Sequence, residues 1–232
     1  MLSALAIGWS VLLSAMPQQA SPVDYLSDVT KLMRTDWPNN RTVNIVCHGH
    51  SVPAGYFQTP RVQTLDAYPH LLHQKLAERF PHAVINVIVT AIGGENSEAG
   101  ARRFERDVLS LHPDVVTIDY ALNDRGIGLE RAKLAWTGMI QAAQNAKAKV
   151  ILLTPTPDQG SKLDDPSDPL NQHSNQVRQL AQEHHVGLVA SYAEFKKEIA
   201  AGAPLASLMS QSNHPNRAGH ELVSRALAIW FP

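Results

Sequence analysis

Val43-Asn44-Ile45-Val46-Cys47-His48-Gly49-His50-Ser51 runs from an apolar stretch into a serine set two residues beyond a glycine. That passage decides the fold class. A short Val/Ile-rich run, apolar on both faces, reads as a strand covered by helices on either side. Four further runs, 84–91, 115–121, 150–155 and 187–190, have the same character as 43–48. Between them the apolar spacing changes to that of a helix. Tyr68, Leu72 and Leu76 share one face, with Phe80 close by. Ala132, Trp136, Met139, Ile140 and Ala143 form a second stripe, and Val177, Leu180 and Ala181 a third. A last helix is expected after the N-capping Asn216, burying Leu222, Val223, Ala226 and Ile229. Strand alternating with helix about five times implies an α/β fold, a three-layer α/β/α sandwich around a central, mainly parallel five-stranded sheet.

The bulk composition suits a globular chain. Of 232 residues, 44% are hydrophobic and 18% charged, and the formal charge is −1. No basic field exists to gather phosphates, so nucleic acid is not an expected partner. The lone Cys47 sits inside a strand pattern and reads as an inert buried thiol. The first 23 residues carry no charged side chain, and 2–16 form an apolar run of signal-peptide length, shorter than a membrane span. Small residues follow at Ala20 and Ser21. Residues 1–20 are therefore expected to be a signal peptide of a secreted or periplasmic protein, with 21–232 forming one domain. No stable membrane span is expected.

In parallel α/β sheets ligands bind beyond the carboxyl ends of the strands. The first strand ends in Gly49-His50-Ser51, a tight turn that presents a hydroxyl and its own N–H at the top of the sheet. After the second strand, Gly93-Gly94 lets backbone N–H groups approach a bound oxygen closely. After the third, Asn123 offers a side-chain N–H₂ to a developing oxyanion. His214, fixed before Pro215 and the last helix, suits a general base. Each feature alone also fits an ordinary turn, cap or core histidine.

Their joint order resembles the GDSL/SGNH hydrolase family over nearly all of the chain beyond residue 42. Gly49-His50-Ser51-Val52-Pro53-Ala54-Gly55-Tyr56 is similar to that family's Gly-Asp-Ser block, Gly94 to its second-block glycine, Ala121-Leu122-Asn123-Asp124 to Gly-x-Asn-Asp, and His214-Pro215 to its final His-Pro. The resemblance implies a serine esterase. Ser51 would be the nucleophile, His214 the base, and the Ser51 N–H, the Gly94 N–H and the Asn123 amide the oxyanion donors. Three residues depart from the pattern: His50 for Asp, Ala121 for Gly, and Gln211 for the Asp three residues before His214. Gln211 is expected to accept the Nδ1–H of His214 without supplying a charge. Asp164, Asp165 and Asp168 are the rival acids.

The resemblance implies no cofactor and no metal. The substrate it suggests is a small acyl ester of a carbohydrate; lysophospholipase or thioesterase chemistry is the alternative, since Tyr56 and Phe57 beside the nucleophile can line an acyl channel. Two readings from other classes stand beside these. His48-x-His50 puts two imidazoles on one strand face, a spacing metal sites use, but no complementary ligand pair accompanies it. A degenerate carbohydrate-binding fold is the second, motivated by Gln211.

Overall fold

The computed structural model describes residues 20–232. The apolar run expected to be a signal peptide therefore lies outside the described residues, apart from Ala20. Five parallel strands form the sheet: β1 (Val43–Gly49), β2 (Ile85–Val89), β3 (Val115–Asp119), β4 (Lys149–Leu153) and β5 (Gly187–Val189). Their order across it is β2-β1-β3-β4-β5. The α/β sandwich read from the sequence is thus the fold, and the sheet is wholly parallel.

Alternation along each strand sends side chains to two cores. Ile45, Cys47, Val115, Ile151 and Leu153 meet α1 (Ser27–Met33), α3 (Tyr68–Arg79), α8 (Ser191–Ala200) and α9 (Arg217–Ala228) on one face. Val46, Val116, Ile118, Val150 and Leu152 meet α4 (Ser97–Asp107), α6 (Leu129–Asn145) and α7 (Pro169–Glu183) on the other. Trp136, Met139, Ile140 and Ala143 are buried as their spacing requires, and so are Val177, Leu180 and Ala181. Ile229 departs from expectation. Helix α9 ends at Ala228, so Ile229 falls at its C-cap and is 62% exposed. Burial pushes the Cys47 thiol up to about 12, which leaves it protonated and unreactive.

The chain leaves β1 toward β2 and returns to the opposite side of β1 as β3. The crevice above that reversal is where open α/β sheets bind ligands. Two one-turn helices line it, α2 (Ser51–Ala54) and α5 (Ala121–Asp124).

Candidate active site

Ser51 is the first residue of α2, directly beyond β1. Gly49 makes the turn feasible. A Cβ there would lie 2.5 Å from the Asp119 carbonyl oxygen and 2.7 Å from Pro53 Cγ, both well inside contact distance. Gly55 closes α2 in the left-handed region, at φ 87°, where glycine carries no steric penalty. Ser51 is consequently held at the top of the sheet with the residue only 6% exposed.

His214 reaches it from the segment before α9. Its Nε2 lies 2.9 Å from Ser51 Oγ. Its Nδ1–H donates to the Phe57 carbonyl at 3.0 Å, so the neutral ring must present a bare Nε2 lone pair to the serine. The segment is pinned around it. Ser210 N–H donates to the His214 carbonyl at 2.9 Å, and Asn216 caps α9 through Gly219 N–H.

This geometry corrects the expected part of Gln211. Its Oε1 accepts the Thr59 N–H at 2.9 Å, and its Nε2 donates to Asn213 Oδ1 at 3.1 Å. Gln211 therefore ties loop 57–59 to the histidine segment, and the backbone carbonyl of Phe57 occupies the place behind the imidazole. The rival acids are elsewhere. Asp164 pairs with Lys196, Asp165 accepts from Ser167, and Asp168 caps α7. Nothing in the sequence pattern marks Phe57, because the group that matters there is main chain.

On the far side of the crevice, Gly94 adopts φ 78° and faces solvent with open space where a Cβ would stand. Asn123 Nδ2 donates one hydrogen to the Glu95 carbonyl at 2.9 Å, which anchors the Gly94 loop and leaves its second hydrogen available. The loop is held from behind by a largely buried network. Arg103 forks onto the Glu95 carboxylate, and Tyr120 donates to Glu95 Oε2 at 2.9 Å while lying 3.0 Å from His48 Nε2. Gly100 admits the Tyr120 side chain, whose hydroxyl oxygen would come within 2.3 Å of a Cβ there. His48 is thus part of a structural network, 2.8 Å from Thr90 Oγ1, and burial lowers its pKa to about 4. Asp124 secures α5. Its carboxylate accepts Ser97 N–H at 2.7 Å and Trp136 Nε1–H at 2.7 Å.

Burial, opposed by the Phe57 carbonyl and reinforced by His50, lowers the pKa of His214 below its ordinary 6.5. A base acts only while neutral, so the sign is fixed: turnover is lost as pH falls through a lowered value. The acid limb of kcat/KM is expected below pH 6.5, and a pH-rate profile from 4 to 9 measures it. A limb above 6.5 would contradict the geometry.

The arrangement joins a hydroxyl, a neutral imidazole in one fixed tautomer, and donors across a crevice. An acetylxylan esterase of Geobacillus stearothermophilus is 25% identical over 159 residues, covering 63% of this chain and 72% of the esterase. A solved structure of an acetyl xylan esterase variant from the same organism superposes with a TM-score of 0.71 at 23% identity, over 82% of this chain and 95% of its own. A two-domain esterase active on acetylated mannans gives 0.70 at 22%, covering 89% of this chain and 52% of that one. At such identity these two structures are alike in fold. The match of residues 47–222 to the family model makes the chain a member of the GDSL-like lipase/acylhydrolase family.

Proposed function

We propose that this carboxylic ester hydrolase removes small acyl groups, acetyl above all, from a carbohydrate through an acyl-enzyme on Ser51. The observation that carries the mechanism is the 2.9 Å contact of His214 Nε2 with Ser51 Oγ, with Nδ1–H engaged by the Phe57 carbonyl. His214 takes the hydroxyl proton as Oγ bonds to the acyl carbon, and the carbonyl π pair moves to oxygen. The N–H groups of Ser51 and Gly94 and the free Asn123 amide hydrogen receive that oxyanion. Collapse expels the sugar alkoxide, which takes the proton from Nε2. Water then repeats the sequence and releases the acid. A neutral carbonyl behind His214 fixes the tautomer but stabilises the imidazolium less than a carboxylate does, since charge-assisted hydrogen bonds are roughly twice as strong as neutral ones.

Support for a short acyl group comes from the crevice and from the relatives. Tyr56 packs its ring on Gly93, where a Cβ would be 2.7 Å away, and stands 5.8 Å from the His214 ring. We take that ring as the wall that limits acyl length beside the nucleophile. The relatives named above act on acetylated xylan or mannans, and this chain covers 95% and 52% of the two solved ones. Acetate release from acetylated xylo- or manno-oligosaccharides tests the substrate. Across p-nitrophenyl acetate, butyrate and octanoate, kcat/KM is expected to fall by roughly 10–100-fold, from about 1–3 kcal/mol of overpacking. Faster hydrolysis of octanoate or of a lysophospholipid than of acetate would replace this reading with the long-chain one.

A further inference from the structure

The Ser51 oxygen stands between two imidazoles. His214 Nε2 is 2.9 Å away, and His50 Nδ1 is 3.3 Å away. His50 Nδ1 also accepts the Val52 N–H at 3.3 Å, so its ring proton sits on Nε2. That Nε2 lies 3.5 Å from Asp119 Oδ1, with the two side chains only 1% and 3% exposed. Among the described residues neither atom has a hydrogen-bond partner within normal range, so each faces chiefly the other. The remaining Asp119 oxygen, Oδ2, is 3.3 Å from the Tyr68 hydroxyl that donates to it. A carboxylate buried without a cation is costly, and this one is spent beside an imidazole that touches the nucleophile. The chain lacks an acid at 211 and carries this one at the end of β3.

We propose that His50, backed by Asp119, is a second proton acceptor for the Ser51 hydroxyl, providing from the buried wall the carboxylate–imidazole pair that His214 lacks. The inference rests on the serine mechanism proposed above. In this step the Oγ–H bond breaks and its proton passes to His50 Nδ1, displacing the Val52 contact. The Oγ electron pair forms the bond to the acyl carbon, and the carbonyl π pair moves to oxygen. Asp119 lies against the Nε2–H of the imidazolium that results. His50 is too deeply buried to reach the departing oxygen, so the leaving group departs as its anion and takes a proton from solvent water, and the proton held on His50 returns to Ser51 Oγ when water attacks the acyl-enzyme and releases the acid. A good leaving group departs in this way without an acid.

The test compares kcat and KM for p-nitrophenyl acetate, with thermal melts, in Ser51→Ala, His214→Ala, His50→Asn and Asp119→Asn and in the double variants built on His214→Ala. Asparagine at 50 keeps an acceptor for the Val52 N–H, so the cap of α2 survives while the imidazole does not. His214→Ala is expected to retain turnover about 10²-fold above Ser51→Ala, the low end of a general-base contribution. Adding His50→Asn or Asp119→Asn removes that surplus with KM unchanged, and combining both removes no more. A His214→Ala variant no better than an inactive Ser51→Ala overturns the inference alone, as does a surplus that survives His50→Asn. Should Asp119→Asn fail to fold, the His50→Asn comparison decides. Activity persisting in Ser51→Ala overturns the serine mechanism itself.

Discussion

Replacing Ser51 by alanine is expected to lower kcat for p-nitrophenyl acetate by about 10⁶-fold, the loss that follows when a serine hydrolase's nucleophile is removed. The argument is chemical before it is numerical. Without Oγ no acyl-enzyme forms, and His214 can only activate water against an ester it is not aligned to attack. The donors across the crevice remain, so turnover settles at the level that binding and oxyanion contacts sustain. Labelling by a fluorophosphonate should vanish at the same time, because that reagent reports the activated hydroxyl directly. The fold should persist. The deletion removes one side-chain hydrogen bond, worth about 1 kcal/mol, which moves the melting point of a domain this size by roughly 2–4 °C. A variant with intact melting that keeps more than about a hundredth of native turnover would remove Ser51 from the mechanism.

What the sequence discloses and what it hides divide along a physical line. The Val/Ile runs disclose the sheet because burial on both faces admits few other residue types, and Ile45, Val46 and Cys47 alternate between the two cores as those runs require. Gly49 and Gly94 are legible for a related reason: one position leaves no room for a Cβ and the other needs a left-handed backbone. The partner of His214 is not legible. It is a main-chain carbonyl, set by the path of a loop rather than by any side-chain identity, and Gln211 acts at one remove by bonding Thr59 N–H. The pairing of His50 with Asp119 is hidden too, since parallel strands β1 and β3 bring together residues far apart in the chain. Arg103 lies only eight residues beyond Glu95, yet no motif marks its guanidinium as the brace of Glu95 behind the loop that Asn123 anchors.

Asn123→Ala is expected to lower kcat by about 10²–10³-fold, or some 2.7–4 kcal/mol of transition-state stabilisation, while KM changes little. An oxyanion exists only once Oγ has attacked, so a donor aimed at it contributes nothing to holding the substrate. Asn123 has a second task that pushes the loss toward the upper end. Its other Nδ2 hydrogen bonds the Glu95 carbonyl at 2.9 Å, and with that tie gone the Gly94 N–H is free to drift from its aim. Arg103 and Tyr120 still hold the Glu95 side chain, so the loop should loosen rather than collapse, and the melting point should move by only a few degrees. Asn123→Asp separates the two tasks from simple loss of bulk. A carboxylate there points lone pairs at the Glu95 carbonyl and places negative charge where the oxyanion must form, so its kcat should lie below that of the alanine variant. If instead both variants raise KM and leave kcat within tenfold of native, Asn123 holds substrate rather than the oxyanion, and the donors across the crevice must be reassigned.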